Sequence, residues 1–325
     1  MEIKNTFGVK ANAREYIEYA SEDELRAALP RLKGQRVLHV GGGSNILFTG
    51  DFDGVVLHSA IRGIDVVEDH ADTLLVRVGA GTVWDDFVAH SVAQGWSGVE
   101  NLSLIPGEVG ASAVQNIGAY GVEAKDVIHL VEAIDLTTGD VREFQNADCH
   151  YAYRQSIFKQ ELKGRYAITH VTYALSKHFV PHLDYGNIRS ELADTTCVTP
   201  QQVREVIIRI RQQKLPDPTV QGNAGSFFMN PVVNREKFES LLAQYPQMPY
   251  YDVPDGVKIP AGWMIEQCGW KGKSMGPAAV HERQALVLVN LGGATGADIL
   301  RLSDAVCKSV EEKFGIDIHP EVNVI

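Results

Sequence analysis

The run of small residues at positions 105–121 constrains the fold of this chain most. It contains four glycines, three alanines, one serine, the amides Gln115 and Asn116, and one charged residue, Glu108. Such a segment has too few large apolar side chains to bury a core of its own, whereas its backbone and amide groups can approach a flat, partly polar ring. We therefore predict a ligand-wrapping loop here. A small-residue helix in the core is the alternative.

A second glycine-rich run follows a short apolar segment, residues 37–40, that predicts a strand. Its bare backbone amides can form an anion nest for a pyrophosphate. The run leads into apolar residues 46–48 and lacks the G-x-G-x-x-G opening of a helix, so a Rossmann fold is a poor interpretation. A simple turn remains an equal alternative from this segment alone. The run comprises Gly41, Gly42, Gly43, Ser44 and Asn45.

Residues 222–231 place one hydroxyl group, that of Ser226, between glycines and a pair of phenylalanines. Gly222 and Gly225 permit positive φ angles and a close approach of the backbone to a ligand. The aromatic pair can anchor the loop by apolar burial. A hydroxyl held in this way suits catalysis or tight binding, and an ordinary glycine turn with a hydrogen-bonded serine is the alternative.

Charge limits the partners of this chain. With 30 lysine and arginine residues against 41 aspartate and glutamate residues, the 325 residues carry a formal charge of −11 at pH 7. That balance disfavours general binding to nucleic acids or anionic membranes, which need clustered basic side chains. It still allows a local cationic pocket for a phosphorylated small molecule, and no obligate protein partner is indicated.

The sequence shows no targeting or membrane-spanning segment. The first residues have no apolar signal region, and no run reaches about 18 apolar residues. We therefore expect a cytoplasmic protein. The cysteines are far apart and have no C-x-x-C spacing, so we expect reduced thiols and no metal site. They are Cys149, Cys197, Cys268 and Cys307.

Local signals in the first half predict β-strands and two helices, of which the second begins at Thr82 and ends before Gly95. A capping box predicts a helix that begins after Ser21 and ends at Pro30. Residues 131–144 have the pattern of a β-hairpin, and residues 166–175 predict an alternating strand.

The second half carries stronger helical signals. An amphipathic helix is predicted from about residue 199, and a long helix over residues 295–314. The last strand, residues 318–325, is expected to join the first domain, because a lone C-terminal strand needs a sheet. The apolar stripe of the first helix is Val203, Val206, Ile207 and Ile210.

Taken together, six segments in the same order resemble the UDP-N-acetylenolpyruvoylglucosamine reductase family, and the match extends over essentially the whole chain. The resemblance implies an α+β protein with the FAD-binding fold of the vanillyl-alcohol-oxidase (PCMH-type) group and an additional α/β substrate domain. The six segments are residues 41–45, 105–121, 153–159, 214–218, 222–231 and 319–322.

This resemblance also implies three domains. Residues 1–62 form a first FAD-binding subdomain that the C-terminal strand, residues 315–325, joins. Residues 63–200 form a second FAD-binding subdomain with a lid insertion near residues 176–199. Residues 201–314 form the substrate-binding domain.

The activity implied is reduction of the enolpyruvyl ether of UDP-N-acetylglucosamine to UDP-N-acetylmuramate, a step of peptidoglycan precursor synthesis, with FAD as the cofactor and NADPH as the reductant. Neither glycine-rich run contains a histidine or cysteine, so we expect FAD to be bound non-covalently. By matched position, Ser226 is the implied proton donor, and Arg154 and Glu321 are the other catalytic residues.

Binding residues follow from the same matches. Those implied to hold FAD are Gly41, Gly42, Gly43, Ser44, Asn45, Gly107, Ser112, Gln115, Asn116, Ile117, Gly121, Ile168 and Arg211. Those implied to bind the substrate are Tyr120, the lid tyrosine Tyr185, Lys214, Asn230 and Gln284. Two positions depart from the pattern: Glu108 varies in the family and is given no role, and Met229 stands where some relatives carry lysine.

Two rival functions are weighed against this one. A flavin oxidase of the same fold often tethers its cofactor through a histidine in the first glycine run, and here that run has none. A catalytically silent sugar-nucleotide-binding protein predicts the loss of Arg154, Ser226 or Glu321, and all three are present. Both rivals are therefore disfavoured.

Overall fold

The computed structural model of this chain describes residues 1–192 and 196–325. It consists of two compact units that alternate along the sequence. The first unit comprises Met1, Ala13–Gly42 and Asp53–Arg211, and the second comprises Glu2–Asn12, Gly43–Phe52 and Gln212–Ile325. Residues 193–195 of the predicted lid insertion lie outside the described residues.

Strands are short in most of the chain. Up to residue 176 they are β1 (Ala13–Tyr19), β2 (Val37–His39), β3 (Ile46–Leu47), β4 (Phe52–Ser59), β5 (Ile64–Asp69), β6 (Thr73–Gly79), β7 (Gly118–Ala119), β8 (Val122–Glu123), β9 (Ile128–Asp135), β10 (Val141–Gln145) and β11 (Tyr166–Ser176). The later strands are β12 (Asn223–Ser226), β13 (Val232–Val233), β14 (Tyr251–Val253), β15 (Gly256–Lys258), β16 (Ser274–Met275), β17 (Ala278–Val280), β18 (Val287–Asn290) and β19 (Asn323–Val324).

Helices occur in both units. They are α1 (Glu22–Leu32), α2 (Trp84–Ala93), α3 (Val109–Gln115), α4 (Ile188–Glu191), α5 (Pro200–Lys214), α6 (Arg235–Gln244), α7 (Ala261–Gln267) and α8 (Gly296–Phe314). Short 3₁₀ turns lie at Glu100–Leu102, Ala124–Asp126, Asn146–Cys149 and Ile157–Lys159.

Two sheets form the framework of the first unit. One has the order β1-β4-β2, with β2 parallel to β4, and the other is antiparallel with the order β10-β9-β11-β6-β5. β9 and β10 form the predicted hairpin, with Val141 opposite Ile134. β11 lies at the centre of its sheet, so most of its residues are buried instead of alternating as predicted.

Helix α1 begins as predicted but does not end at Pro30. Ser21 accepts a hydrogen bond from the Glu24 N–H at the N-terminus, and the helix continues to Leu32 with Pro30 inside it. Leu32 is buried in a cluster that includes Leu57 and other residues of the sheets. Apolar packing of the last turn therefore outweighs the backbone hydrogen bond that the proline removes.

For residues 105–121 the prediction of a loop throughout was wrong. Val109–Gln115 form α3, a helix of small residues that packs in the core, which is the alternative considered above. Ser112 is buried, and its hydroxyl lies 2.8 Å from the Tyr173 hydroxyl. Glycine and alanine allow this helix to approach its neighbours closely, and only the ends of the segment are free to form loops.

Unit two is built on helices and two antiparallel sheets, ordered β12-β18-β17-β16 and β13-β15-β14. The long helix is α8: Thr295 caps its N-terminus, and Gly315 ends it at φ 58°. The predicted last strand is reduced to β19, which pairs in parallel with β3, and both strands lie in the second unit.

Candidate active site

The two glycine-rich runs meet within the first unit. A Cβ atom added to Gly42 would lie 3.4 Å from the Gly107 Cα atom, and one added to Gly41 would lie 2.9 Å from a carboxylate oxygen of Glu108. Two stretches of bare backbone thus lie face to face, as a cofactor held by main-chain groups requires.

In the second unit, the end of the first glycine run contacts the C-terminal segment. Asn45 donates from Nδ2 to the Glu321 carbonyl at 3.4 Å, and its own carbonyl accepts from the Asn323 N–H at 3.1 Å. Gly43 has φ 65°, and a Cβ atom there would lie 2.5 Å from the Lys4 carbonyl oxygen. A residue implied in FAD binding therefore positions the backbone of a residue implied in catalysis.

Asn116, at the end of α3, is fixed by its own side chain. It has φ 47°, its Nδ2 donates to the Ala152 carbonyl at 2.9 Å, and its Oδ1 accepts from the Lys125 N–H at 3.0 Å. These bonds stabilise a left-handed turn and occupy the Asn116 amide. A ligand at this turn would therefore contact the backbone and not the amide side chain. Ile117 lies in the same turn, partly buried.

Arg154 is held by backbone carbonyls of this segment. Its Nη2 donates to the Gly118 carbonyl at 2.7 Å, its Nη1 donates to the Asn116 carbonyl at 3.3 Å, and its guanidinium lies 5.1 Å from the centre of the Tyr153 ring. The backbone of Arg154 itself is left-handed, with φ 56°. The structure therefore brings Arg154 together with residues 116–118, as the implied site requires.

Lys159 contributes a link that the sequence reasoning missed. Its Nζ donates to the Gln115 Oε1 atom and to the Arg154 carbonyl, both at 3.0 Å. One ammonium group thus joins an implied FAD contact to an implied catalytic residue. The only signal in the sequence is the spacing of five residues between Arg154 and Lys159.

Arg211 lies near the end of α5 with its Nε atom buried and without a hydrogen-bond partner. Burial lowers the pKa of this guanidinium, and the neighbouring Tyr120 hydroxyl and Asp85 carboxylate act against that effect. A buried donor without a partner is costly and indicates a ligand that completes it. Ile168, buried in β11, supplies apolar surface in the same unit.

The two implied substrate tyrosines of the first unit are neighbours. A Cβ atom on Gly121 would lie 3.3 Å from the Tyr185 Cβ atom, and one on Gly186 would lie 3.7 Å from the Tyr120 ring. Asn101 joins the two segments, because its Nδ2 donates to the carbonyls of Tyr120 and His182 at 3.0 and 2.9 Å. Tyr185 remains 42% exposed, as a residue that closes over a ligand needs to be.

In the second unit, the chain that follows Ser226 pairs with the segment that contains Glu321. The Glu321 N–H donates to the Phe227 carbonyl at 2.7 Å, and the Met229 N–H donates to the His319 carbonyl at 2.9 Å. Ser226, at the end of β12, is exposed, whereas the phenylalanines after it are buried, as predicted. The C-terminal segment thus pairs with the chain that follows the serine.

Asn230 and Gln284 both lie beside the start of α7. The Asn230 Oδ1 atom accepts from the Ala261 N–H at 2.9 Å, and a Cβ atom on Gly262 would lie 3.3 Å from the Gln284 Oε1 atom. Lys214 is exposed at the last position of α5. Asn230 and Gln284 are thus both held near the first residues of α7, whereas Lys214 belongs to another helix.

Glu108, for which no role is predicted, belongs to a charged cluster in the first unit. The His58 Nε2 atom lies 3.0 Å from Glu108, and the His58 Nδ1 atom lies 3.0 Å from Glu18. Glu108 raises the pKa of the imidazole most, and burial opposes this. Glu18 and Glu108 are 40 and 50 positions away from His58 in the sequence, so no local sequence pattern predicts the cluster.

Neither a metal centre nor a membrane span is found in the part of the chain that the structure describes. Over residues 1–192 and 196–325, no three histidine, cysteine, aspartate or glutamate side chains are grouped as metal ligands would be. Among the same residues, no helix is long and apolar enough to cross a membrane.

Two protein families match separate parts of this chain and indicate its class. Residues 13–145 match the FAD-binding domain family, which places this chain in the class of FAD-binding proteins. Residues 217–325 match the family described as UDP-N-acetylenolpyruvoylglucosamine reductase, C-terminal domain.

Whole-chain relatives give the family. The UDP-N-acetylenolpyruvoylglucosamine reductase of Bacteroides fragilis is 60% identical, over 99% of this chain and 97% of that protein. The enzyme of the same name from Neisseria gonorrhoeae is 50% identical, over 98% and 94%. This chain belongs to the UDP-N-acetylenolpyruvoylglucosamine reductase family.

A solved structure supports the fold. The crystal structure of UDP-N-acetylenolpyruvylglucosamine reductase from Thermus caldophilus superposes with a TM-score of 0.70 at 23% identity, covering 98% of this chain and 95% of that one. The α+β fold expected from the sequence is confirmed.

Proposed function

We propose that this chain reduces the enolpyruvyl ether of UDP-N-acetylglucosamine to UDP-N-acetylmuramate, a step of peptidoglycan precursor synthesis, using FAD and NADPH. The observation that carries the proposal is the pairing of residues 227–229 with residues 319–321, which places the hydroxyl-bearing Ser226 and the carboxyl-bearing Glu321 on joined backbone segments. Backbone pairing of this kind allows a hydroxyl and a carboxyl group to serve proton delivery to one reacting centre.

Residues of the first unit fit FAD. The close approach of Gly42 and Gly107 leaves backbone amides for a pyrophosphate, and the buried Nε atom of Arg211 awaits an acceptor such as the pyrimidine edge of a flavin. FAD, when bound, supplies the hydride that is added to the substrate. The other implied contacts of the first unit, such as Gln115 and Gly121, lie in the same chain segment as Gly107.

Arg154 is proposed to stabilise negative charge on the substrate. Hydride addition to the terminal methylene carbon of an enol ether leaves that charge at the carbon that bears the carboxylate, which makes the species very unstable in water. The Arg154 guanidinium is planar and always charged, so it can bind the carboxylate oxygens as a fork. Its bonds to the carbonyls of Asn116 and Gly118 hold it in place before the substrate arrives.

Ser226 is proposed to deliver the proton. Its hydroxyl is a weak acid, but the carbanion formed on the substrate is a far stronger base, so transfer is downhill once the geometry is set. Glu321, in its protonated form, can donate a hydrogen bond to the substrate carboxylate or assist this delivery. The exposure of Ser226 leaves its hydroxyl accessible to a ligand.

The remaining polar residues are proposed to bind the substrate without reacting. Lys214 and Tyr185 suit a diphosphate, because an ammonium and a phenol donate hydrogen bonds to phosphate oxygens. Asn230, Gln284 and Tyr120 supply further polar contacts to the nucleotide or sugar. UDP-sugars and NADPH are cytoplasmic metabolites, so we place the reaction there and keep the three-domain division at residues 62, 200 and 314 as a proposal.

An absorption experiment on the purified protein tests this function. We expect a flavin spectrum that NADPH bleaches under anaerobic conditions and that the enolpyruvyl substrate restores. Bleaching of the flavin by an alcohol or sugar substrate and restoration by oxygen, with no restoration by the enolpyruvyl substrate, would identify an oxidase. Binding of the UDP-sugar with no bleaching by NADPH would identify a silent binding protein.

A further inference from the structure

An ion pair away from the implied contacts joins α5 to α2 in the first unit. Arg204 binds Asp85 with both ends of its fork, at 2.6 Å between Nη1 and Oδ1 and at 2.9 Å between Nη2 and Oδ2. The two side chains are only 11% and 25% exposed. By contrast, Arg209 on the same helix lies 3.6 Å from Glu191, and these side chains are 49% and 38% exposed. Only the first geometry is of the kind that fixes two elements.

Asp85 also fixes the chain that leads into the second glycine run. Its Oδ1 atom accepts from the Leu104 N–H at 2.5 Å. Leu104 has φ 58°, a conformation that is unfavourable for a branched side chain and needs such support. The adjacent Trp84 N–H donates to the Gly107 carbonyl at 3.0 Å. One carboxylate therefore links α2, residues 104–107 and α5.

Arg211 lies seven residues beyond Arg204, two helical turns on and on the same face of α5. Asp85 is close enough to Arg211 to stabilise its positive charge. Because Arg204 occupies both oxygens of Asp85, this carboxylate is neutralised locally. The charge of Arg211 therefore remains available to a ligand.

We propose that Asp85 and Arg204 are positioning residues for Arg211: their ion pair holds α5 against residues 104–107 and keeps the Asp85 carboxylate from turning to Arg211. The inference rests on the proposed function, since Arg211 is assigned there to the pyrimidine edge of FAD. The reduced cofactor carries more negative charge than the oxidised one, so Arg211 stabilises the reduced form more. Loss of the pair should therefore change both FAD affinity and reduction potential.

Arg204→Met tests the pair directly. We expect the Kd for FAD, measured by titrating the apoprotein and following flavin fluorescence, to rise roughly tenfold. The affinity for reduced FAD should fall further. Each additional tenfold loss of affinity for the reduced form lowers the two-electron reduction potential by about 30 mV. Arg204→Lys keeps the charge without the fork and should have an intermediate effect. Arg209→Met, which breaks the exposed pair on the same helix, should change neither quantity.

A double variant separates the electrostatic effect from simple loss of packing. In Arg204→Met the freed Asp85 carboxylate competes for Arg211, and adding Asp85→Asn removes that competitor without restoring either contact. We expect the reduction potential to recover in part while the Kd for FAD stays raised. A double variant whose potential is no higher than that of Arg204→Met would overturn the proposal.

Arg211→Met separates this inference from the proposed function on which it rests. If Arg211→Met changes neither the Kd nor the potential, the placement of Arg211 at the flavin fails. If Arg211→Met changes both and Arg204→Met changes neither, the placement stands and the positioning role of Asp85 and Arg204 is wrong. The urea unfolding of each apoprotein shows whether a variant is folded, and Arg204→Lys keeps the test open if Arg204→Met is not.

Discussion

At the scale of single residues, the implied site depends on backbone conformations that side chains rarely adopt. Arg154 and Asn116 have φ angles of 56° and 47°, and Gly43 and Gly225 have φ angles of 65° and 68°. Glycine adopts these angles freely, whereas Arg154 and Asn116 cost free energy there and persist where neighbouring groups hold them, which is common at functional sites. Here the backbone carbonyls that bind Arg154 and the side-chain bonds of Asn116 supply that support.

Gly43→Ala should destabilise the protein by more than its backbone angle explains. A left-handed alanine costs about 1 kcal/mol, and here its Cβ atom would also lie 2.5 Å from the Lys4 carbonyl oxygen. Gly34→Ala is a matched control, because Gly34 has φ 75° but no atom within 4 Å of an added Cβ. We expect urea unfolding to show a clearly larger loss for Gly43→Ala. Equal losses would mean that the close contact with Lys4 does not hold this turn.

At the scale of secondary-structure elements, helices and strands were predictable where a local sequence pattern marks them. Thr295 and Gly315 mark both ends of α8, and the apolar stripe that includes Val203 and Ile207 identifies α5. α3 was missed as a helix because glycine and small residues weaken helical propensity, and only core packing makes it helical. Pro30 was taken as a helix end because its effect on the backbone is local, whereas the burial of Leu32 is not.

Stability should depend on pH through the elements that His58 joins. This residue of β4 lies between Glu108, at the start of α3, and Glu18 of β1. Glu108 first, and then Glu18, raise the pKa of His58, while burial acts in the opposite direction. A raised folded-state pKa gives stabilisation that is complete below the unfolded value of 6.5 and is lost as the pH rises through the folded value.

We therefore expect His58→Gln to cost more free energy of unfolding at about pH 6 than at about pH 9. Urea unfolding of the wild type and the variant over this range measures the difference. His70→Gln is the control, since His70 pairs with Glu68 at the surface and both side chains are more than half exposed. A difference for His58→Gln that stays constant from pH 6 to pH 9 would contradict the assignment of the cluster.

On the scale of the whole molecule, the two units could not be predicted from sequence. Residues 2–12 and 43–52 belong with the C-terminal half, and hydrogen bonds such as those from the Asn223 N–H to the Thr6 carbonyl and from the Thr49 N–H to the Ile325 carbonyl make this arrangement. Pairings between distant segments leave no local pattern. The implied site residues were nevertheless proposed from sequence, because motifs such as residues 41–45 and 222–231 each lie in one continuous stretch. The links through Lys159, Asp85 and His58 were not.

FAD should be released completely when the protein unfolds. Neither glycine-rich run contains a histidine or cysteine that could attach it covalently. We expect acid or heat denaturation followed by filtration to release all of the yellow colour into the filtrate, as measured by absorbance. Flavin that stayed with the precipitated chain would show a covalent link and contradict this prediction.

The most direct test of the central claim is stopped-flow absorbance of Ser226→Ala, with each half of the reaction followed separately. Reduction of the cofactor by NADPH needs no proton donor at the substrate carbon, so its rate should stay near that of the wild type. Reoxidation by the enolpyruvyl substrate should slow by about 10²-fold or more, the usual effect of losing a positioned acid. Ser226→Cys should keep part of that rate. If Ser226→Ala slowed both halves equally, or neither, Ser226 would be a structural residue of its loop and the proposed mechanism would be wrong.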